Sequence, residues 1–510
     1  MTRSQVLVAG AGPTGLVLAL WLAKQGVTVR IVDKTEAPGT TSRALAVQAR
    51  TLELYRQLDL ADEVIARGHK VPAMNLWAKG VRAARVPFDL VGAELTPYAF
   101  PLIFPQDQHE KLLIERLQSF GVAVERRTEL MSFADHGDGV TARLRGPDGP
   151  EEDCEADYIA GCDGARSIVR ETIGAAFPGG TYQQVFYVAD VEASGPSADG
   201  ELHIDLDTSD FLAIFPLAGP GRARLVGTVR DDRAEHPEAL KFEDVSELAI
   251  QHMKVEVRKV NWFSTYRVHH RVTDRFRKGR AFLLGDAAHI HSPAGGQGMN
   301  TGIGDAINLA WKLAQVLAGR APDSLLDSYE AERIGFARRL VATTDRGFSF
   351  ATAEGPVANF LRTRLAPVLA GAAFRLEPVR EFLFRTVSQI TLNYRGSPLS
   401  VGEAGEVKAG DRLPWAPGVS AEESAVMARI GWQALVYGEA SAAVVSWARD
   451  LGVSLHVFEF TPAHEHAGLA RNALYLLRPD TYVALADPRP DPAALDRYFS
   501  DRGINPRATV

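Results

Sequence analysis

Three glycines and an aspartate near the start of the chain have the types and spacing of a dinucleotide site. Gly10, Gly12 and Gly15 form a GxGxxG pattern, and Asp33 follows them. Glycines let the backbone turn tightly and approach a pyrophosphate, whose charge is stabilised by the N-terminus of a helix, while a later carboxylate binds a ribose hydroxyl. We therefore predict that a dinucleotide binds at these residues.

The segments around these glycines predict a strand, a turn, a helix and a second strand. Residues 6–9 are a short apolar run typical of a buried parallel strand, and apolar residues then recur at helical spacing over 16–23. Gly26 marks the end of that helix, and a second strand over 27–32 places Asp33 at its carboxyl end. The four elements together are much stronger evidence than a glycine triplet alone.

A second candidate phosphate site follows a later strand. Asp163 and Gly164 form a turn, and Arg166, Ser167 and Arg170 come directly after it. Cationic and hydroxyl donors beside a flexible backbone suit a pyrophosphate or its ribose.

A third candidate site begins where the buried strand 281–284 ends in Gly285 and Asp286. Asp286 could accept hydrogen bonds from ribityl or ribose hydroxyls. A glycine-rich loop then leads to a long helix, and the amides of residues 298–300 at its N-terminus would stabilise an anion. An isoalloxazine ring is anionic at its pyrimidine edge when reduced and needs such donors.

In this order the three motifs resemble the FAD-binding set of the single-component flavoprotein aromatic hydroxylases, which have the p-hydroxybenzoate hydroxylase fold. The resemblance covers about residues 4–345. The segment 42–44 is similar to the arginine-bearing segment that contacts FAD in this family, and residues 105–106 are similar to its flavin-contacting glutamine. The resemblance predicts FAD contacts at Gly10, Gly12, Pro13, Thr14, Gly15, Asp33, Lys34, Arg43, Gln106, Asp163, Asp286, Pro293, Gly298, Met299 and Asn300.

The last part of the chain refines the resemblance. Residues 394–399, 410–414 and 477–482 resemble a thioredoxin-like C-terminal domain of the phenol hydroxylase and polyketide hydroxylase branches. This part contains no cysteine, which excludes thiol redox chemistry there and leaves a structural role or a subunit contact. Residues 43–49 lack the acid that the phenol hydroxylases carry, so the polyketide hydroxylase branch is the more similar one.

The fold class predicted from these features is α/β, with a Rossmann-type FAD-binding domain, a sheet-rich substrate domain and the thioredoxin-like α/β domain. A stretch with five glycines and three prolines, 395–418, is interpreted as a linker. The predicted units are a discontinuous FAD-binding domain at 1–175 and 276–345, a substrate domain at 176–275, a helical segment at 346–394, that linker, and the C-terminal domain at 419–510.

The resemblance implies an FAD-dependent monooxygenase that uses NADPH and O2 to hydroxylate a phenolic, polycyclic aromatic compound of the polyketide type through a flavin hydroperoxide. His203 and Asp205 share one face of a predicted strand and are candidates for a base that activates the phenol, the alternative being a solvent-facing strand edge. Phe211 and Phe215 are candidates for an aromatic substrate pocket, the alternative being core packing.

Composition excludes several other classes of protein. A net charge of −7 opposes nucleic acid as a partner, and no stretch approaches the ~20 apolar residues of a membrane span. Two cysteines cannot build a disulfide framework, and the histidine pairs lack a third nearby ligand, so no metal site is predicted. No export signal is recognised, so we expect a cytoplasmic protein that binds a small molecule, with a homodimer left open.

Three alternatives to a hydroxylase remain from the sequence. A Baeyer–Villiger oxygenase and a flavin-dependent reductase or desaturase would share the fold and the motifs. A non-catalytic nucleotide-binding protein would carry no flavin. No second GxGxxG unit follows the first, so NADPH is expected to bind transiently and without a nucleotide domain of its own.

Overall fold

The computed structural model describes residues 3–39, 44–78, 80–88, 92–205, 211–229, 240–245, 247–291, 296–352 and 376–507. Within these ranges the strands form three large sheets and one small sheet, the small one from Ala46–Val47, Leu102–Ile103 and His69–Lys70. Over the same ranges no helix combines the length and apolarity needed to cross a membrane.

The first sheet is the dinucleotide-binding sheet that the sequence predicts. Its main path runs through Arg277–Lys278, Ala281–Leu283, Glu151–Gly161, Ser4–Ala9, Val29–Asp33 and Val124–Arg126. Beside this path, Val140–Arg145 pairs with Glu151–Gly161, and Glu129–Asp135 pairs with Val140–Arg145. The strands from Ala281–Leu283 to Val124–Arg126 pair in parallel. Their carboxyl ends therefore meet at one edge of the sheet, where α/β proteins bind ligands.

The second sheet contains more of the chain than the predicted substrate domain at 176–275. Its order is His289–Ile290, Glu256–Val272, Gly179–Ser194, Arg222–Val229, Leu212–Pro216, Leu202–Asp205, Ala73–Ala78 and Val81–Pro87. The strands within 73–87 lie before the predicted domain boundary in the sequence. They belong to this sheet because Ala73–Ala78 pairs in parallel with Leu202–Asp205. Such a distant pairing leaves no local signal in the sequence.

The third sheet forms the C-terminal α/β domain and corrects the predicted linker at 395–418. Its order is Val407–Lys408, Val401–Ala404, Val483–Asp487, Leu474–Leu477, Gln433–Tyr437 and Ser454–Phe458. The first two strands lie inside the predicted linker. Gly410 serves close packing and not flexibility: it has φ +92°, and an added Cβ would overlap the backbone of Tyr394 and Arg395.

Helices cover the sheets and connect them. The longest are Pro13–Lys24, Gln106–Ser119, Gly298–Leu317 and Asp327–Thr352. The shorter α-helices are Ala49–Tyr55, Ala61–Arg67, Ile168–Thr172, Glu247–His252, Glu377–Val387, Ala421–Val426, Ala442–Leu451, Pro462–His466 and Pro492–Ser500.

One apolar core extends from the dinucleotide-binding sheet into the C-terminal domain. Leu16 and Trp311 belong to it, and so do Trp432 and Phe499 of the C-terminal domain. The Trp311 and Trp432 rings meet edge to face, with centroids 5.8 Å apart. The two parts therefore bury apolar surface together, and we expect them to unfold together.

A nearly buried ion pair adds to this contact. Arg412 donates to both carboxylate oxygens of Glu53 at 2.6 and 2.7 Å, and the Glu53 side chain is 12% exposed. Burial alone would raise the pKa of Glu53, but Arg412 and then Arg50 lower it to about 2.

This pair predicts an acid-dependent loss of stability. Because the folded-state pKa of Glu53 lies below the ordinary value of 4.5, its stabilisation is present above pH 4.5 and is lost as the pH falls towards 2. The contribution is on the order of 3 kcal/mol. Thermal unfolding of the flavin-free protein should therefore depend less steeply on pH in this window for Glu53→Gln than for the parent. Identical pH profiles of the two proteins would show that Glu53 does not cause the loss of stability in acid.

Candidate functional site

The glycines of the first motif divide between packing and ligand approach. Gly10 has φ +102°, and an added Cβ would overlap the carbonyl oxygen of Cys162; a Cβ on Gly15 would overlap the carbonyl oxygen of Gly10. An added Cβ on Gly12 meets no heavy atom of the described residues within 4 Å. Gly10 and Gly15 therefore let the chain pack closely, while Gly12 faces open space in front of the helix Pro13–Lys24.

Polar residues of the predicted motifs follow neighbouring strands along the carboxyl edge of the sheet. Asp286 follows Ala281–Leu283, Asp163 follows Glu151–Gly161, and Asp33 ends its own strand. Arg126 ends the next strand and pairs with Asp33 in the ladder. Neighbouring strands lie about 4.8 Å apart, so the five strand ends span roughly 19 Å. This length suits an extended dinucleotide.

Asp33 connects the glycine loop to the end of its strand. Its Oδ2 accepts from the amide of Ala11 at 2.7 Å, and its Oδ1 accepts from the amide and hydroxyl of Thr35 at 2.8 and 2.6 Å. Arg126 Nη1 lies 3.6 Å from Asp33 Oδ1. The sequence analysis missed Arg126, which only the pairing of its strand with Val29–Asp33 brings to the site.

Gln106 lies at the start of its helix, beside the segment that follows Arg43. Its amide donates to the carbonyl of Ala44 at 3.1 Å, and its side chain donates to Glu110 Oε1 at 2.8 Å. Glu110 also accepts from the amide of Gly39 at 3.2 Å, and burial raises the pKa of its carboxyl. The i, i+4 spacing from Gln106 is the signal by which the sequence could have identified Glu110.

Two predicted contacts, Arg43 and Pro293, lie outside the described residues. Lys34 is exposed beyond the end of its strand, and Pro13 is buried in the first turn of its helix.

The two carboxylate oxygens of Asp163 differ in their hydrogen bonds. Its Oδ2 accepts from the amide of Ile168 at 2.8 Å. Its Oδ1 is buried and has no hydrogen-bond partner among the described residues, and burial raises the pKa of the carboxyl. Burying a polar atom without a partner is costly, so this oxygen fits a ligand hydroxyl.

The cation beside Asp163 connects two motifs rather than facing a phosphate. Arg170 donates to the carbonyls of Ala165 and Ala287 at 2.8 and 3.0 Å and stacks on Phe177. Ser167 caps the following helix by accepting from the amide of Arg170 at 3.0 Å.

The first and third motifs pack directly against each other at Thr14. Gly285 has φ +57°, and a Cβ there would lie 2.7 Å from Thr14 Oγ1; a Cβ on Gly302 would overlap the same hydroxyl. Asp286 is exposed, whereas Gly285 and Ala287 on either side of it are buried. The turn therefore directs Asp286 alone towards the solvent.

The side-chain amide of Asn300 forms four hydrogen bonds within the protein, which position its helix. Its Oδ1 accepts from the amide of Gln48 and the hydroxyl of Thr51 at 2.9 and 2.8 Å, and its Nδ2 donates to the carbonyls of Ala46 and Gly296, both at 2.9 Å. The side chain of Asn300 is therefore not available to a cofactor. Backbone amides at the start of the helix Gly298–Leu317 remain as the anion-stabilising group.

A buried carboxylate that the sequence analysis missed holds the third motif in place. Asp305 Oδ2 accepts from the amide of Gly285 at 3.0 Å and lies 2.7 Å from His289 Nε2, while Arg333 Nε donates to Oδ1 at 2.6 Å. Burial would raise the pKa of Asp305, but Arg333 and His289 lower it.

The candidate bases His203 and Asp205 do not lie at this site. Both are fully buried on a central strand, not on an edge. His203 pairs with Ile214, whose side chain belongs to the apolar cluster under the helix Glu247–His252. Trp77 Nε1 donates to His203 Nδ1 at 3.0 Å. Directly paired residues point to the same face, so these two candidates face away from the flavin motifs.

The opposite face of the second sheet is aromatic. Phe211 meets Phe186 edge to face with centroids 6.5 Å apart, and Phe186 lies 6.0 Å from Tyr266. Phe215 packs in a cluster with Leu45, which follows the Arg43 segment. Phe211 and Phe215 are both half-buried. Phe215 and Leu45 pack with Ala46, whose carbonyl accepts from Asn300 at the start of the helix Gly298–Leu317. The partly open aromatic side chains on this face suit a flat aromatic ligand.

FAD fits the residues present along this edge. The open space at Gly12 admits a pyrophosphate, the unpartnered Asp163 Oδ1 and exposed Asp286 can accept from hydroxyl groups, and the N-terminus of Gly298–Leu317 can stabilise an anionic ring.

Comparisons with known proteins show the family of the chain and several similar proteins. The FAD binding domain family model matches residues 3–344. The 6-methylpretetramide 4-monooxygenase of Streptomyces rimosus is 41% identical over 409 residues, which are 78% of this chain and 71% of that protein. Dialkyldecalin synthase of Streptomyces rugosporus is 32% identical over 506 residues, 97% of this chain and 98% of that one. The solved structure of OxyS anhydrotetracycline hydroxylase from Streptomyces rimosus has a TM-score of 0.79 and 28% identity, covering 99% of this chain and 100% of that chain.

Proposed function

The chain belongs to the FAD binding domain family, and we propose that, as an FAD-dependent monooxygenase, it uses NADPH and O2 to hydroxylate a phenolic polycyclic aromatic compound of the polyketide type. The observation that carries the proposal is the aromatic face of the second sheet, where Phe215 packs in one cluster with Leu45 and Ala46, the segment that bonds to Asn300 at the start of the helix Gly298–Leu317. The named activities of the pretetramide and anhydrotetracycline relatives support the substrate class.

The residues of the site have distinct tasks in this reaction. When bound, FAD would supply the redox chemistry that NADPH and O2 require. The N-terminus of the helix Gly298–Leu317 stabilises negative charge at the ring. Phe186, Phe211 and Tyr266 contact the aromatic substrate and exclude water from it.

We assign no base among the described residues, because the candidates His203 and Asp205 face the other side of the sheet. A phenol that ionises readily needs none. The proposal therefore favours an acidic phenolic ring, of the kind found in fused, carbonyl-bearing aromatics.

A second candidate function comes from the full-length similarity to dialkyldecalin synthase. A synthase of this kind would build a ring system without inserting oxygen. The two candidates differ in whether an atom of O2 enters the product.

The test is anaerobic reduction of the FAD-loaded protein by NADPH, with and without a panel of polycyclic phenols, followed by turnover in labelled oxygen gas. We expect one class of phenol to accelerate bleaching of the visible flavin absorption and to give a product that carries one labelled oxygen atom. Flavin that stays oxidised while a ring closes would favour the synthase. An inserted oxygen beside a ketone would indicate a Baeyer–Villiger reaction.

A matched pair of variants tests the aromatic face. Phe211→Leu should reduce the acceleration by the phenol, because Phe211 lies in the aromatic cluster that we propose contacts the substrate. Phe263→Leu is the control, since Phe263 stacks on Tyr187 on the opposite face with centroids 6.1 Å apart. Equal losses in the two variants would contradict the proposed substrate position.

A further inference from the structure

A chain of buried polar groups runs from the C-terminal domain to the third flavin motif. Arg333 Nη1 donates to the hydroxyl of Tyr394 at 3.1 Å, and Arg333 Nε donates to Asp305 Oδ1 at 2.6 Å. Asp305 Oδ2 in turn accepts from the amide of Gly285 at 3.0 Å. Tyr394, Arg333 and Asp305 are all buried. Each link is thus a hydrogen bond that water cannot replace.

Both ends of this chain are firmly held. The rings of Tyr394 and Tyr482 have centroids 4.4 Å apart, and the guanidinium of Arg478 lies 5.1 Å from the Tyr394 ring. Arg333 also donates from Nη2 to the carbonyl of Thr301 at 2.9 Å. The guanidinium of Arg333 therefore has three fixed acceptors, and Tyr394 is the one from the C-terminal domain.

We propose that Tyr394 is a positioning residue for FAD: acting through Arg333 and Asp305, it fixes Gly285 and so holds Asp286 at the carboxyl edge of the first sheet. The inference rests on the proposed contact between Asp286 and FAD. It gives the C-terminal domain, which contains no cysteine, a task at the flavin site. The sequence 394–399 that carries the resemblance to such domains begins at this tyrosine.

The physical basis is the cost of an unpaired buried donor. Without the Tyr394 hydroxyl, Arg333 Nη1 has lost its acceptor in a place that water does not reach. The guanidinium must then turn towards another acceptor, which alters its bond to Asp305 and through it the bond to Gly285. A packing role for the tyrosine ring alone would leave Gly285 unaffected.

The chain offers a matched control at the same interface. Ser397 Oγ donates to Glu332 Oε1 at 2.6 Å, and both residues are buried. Glu332 precedes Arg333 on the same helix, and its side chain bonds instead to Asn308, Lys312, Ser397 and Arg478. Ser397→Ala therefore removes an equivalent buried hydrogen bond between the domains without touching the path to Gly285.

The experiment measures two quantities in Tyr394→Phe, Ser397→Ala and the parent. The first is amide hydrogen exchange in the peptide that contains Gly285, in flavin-free protein. The second is the dissociation constant of FAD from fluorescence titration. We expect Tyr394→Phe to exchange faster at Gly285 and to bind FAD about tenfold more weakly. Ser397→Ala should lower the unfolding temperature while keeping parental exchange and affinity.

The proposal is overturned if Tyr394→Phe keeps the parental exchange rate and the parental FAD affinity. It is also overturned if Tyr394→Phe and Ser397→Ala change equally, because equal changes would indicate a general loosening of the interface. Asp286→Ala separates this result from a failure of the proposed site. If Asp286→Ala binds FAD like the parent, the FAD placement is wrong, whereas the exchange rate still decides whether Tyr394 holds Gly285. If Asp286→Ala weakens FAD and Tyr394→Phe does not, only the role of Tyr394 is wrong.

Discussion

Gly12→Ala should bind FAD roughly 10- to 100-fold more weakly than the parent while the flavin-free protein keeps its fold. The new methyl group meets no described protein atom within 4 Å, and Gly12 has φ −76° and ψ −179°, which alanine adopts without strain. The methyl group instead occupies the space through which the pyrophosphate approaches the helix. Overlap of this size costs about 1–3 kcal/mol in a packed site. Fluorescence titration with FAD and thermal unfolding of the apoprotein measure the two effects separately.

Gly10→Ala is the matched comparison. There the added Cβ would overlap the carbonyl oxygen of Cys162, and the backbone has φ +102°. We expect this variant to lose stability even without flavin, because two strand ends must move apart. If Gly12→Ala binds FAD as tightly as the parent, the glycine loop does not contact the pyrophosphate. If both variants lower the stability of the apoprotein equally, Gly12 has a packing role.

The local part of the site could be predicted from the sequence because its signals lie within a few residues of each other. The strand Ser4–Ala9, the helix Pro13–Lys24 and the position of Asp33 follow from apolar periodicity and from the glycines between them.

The remainder depends on pairings between distant parts of the chain. A strand predicts which residues share a face but not which face is turned inwards, and the pairing of His203 with Ile214 turned both candidate bases away from the site. Glycine is ambiguous in the same way, since it signals flexibility and close backbone approach equally well. At Gly410 the glycine serves close backbone approach. The predicted linker around it contributes two strands to the third sheet. The role of Asp305 can be identified only from its contacts with His289 and Arg333, and these residues come close to it only in the folded chain.

A cluster of four buried charges joins the C-terminal domain to the FAD-binding part. Arg478 donates to both oxygens of Glu332 at 2.6 and 3.0 Å and to Asp480 at 2.6 and 3.0 Å. Lys312 donates to Glu332 at 2.8 Å, and burial lowers the pKa of Lys312 to about 8. Arg478 is thus the cation that both carboxylates share.

Arg478→Met should lower the stability of the whole chain by about 3–5 kcal/mol, because among the described residues it leaves buried Glu332 with Lys312 alone as an ion-pair partner and buried Asp480 with none. Since the apolar core is continuous across the interface, the effect should appear as one transition at lower temperature. Calorimetry of parent and variant measures it. Arg395→Met is the control: Arg395 pairs with Asp411 at 2.6 Å, but its side chain is 52% exposed, and such pairs contribute about 0–1 kcal/mol.

The pH dependence identifies the cause of this loss. Burial would raise the pKa of Glu332, but Arg478 and then Lys312 lower it below its ordinary value of 4.5. A lowered pKa in the folded state stabilises the parent above pH 4.5, and this stabilisation disappears as the pH falls further. The unfolding temperatures of parent and Arg478→Met should therefore converge as the pH falls below 4.5. A constant difference across this range would show that Arg478 acts through packing on Trp311, whose ring its guanidinium approaches at 5.2 Å, and not through its charge.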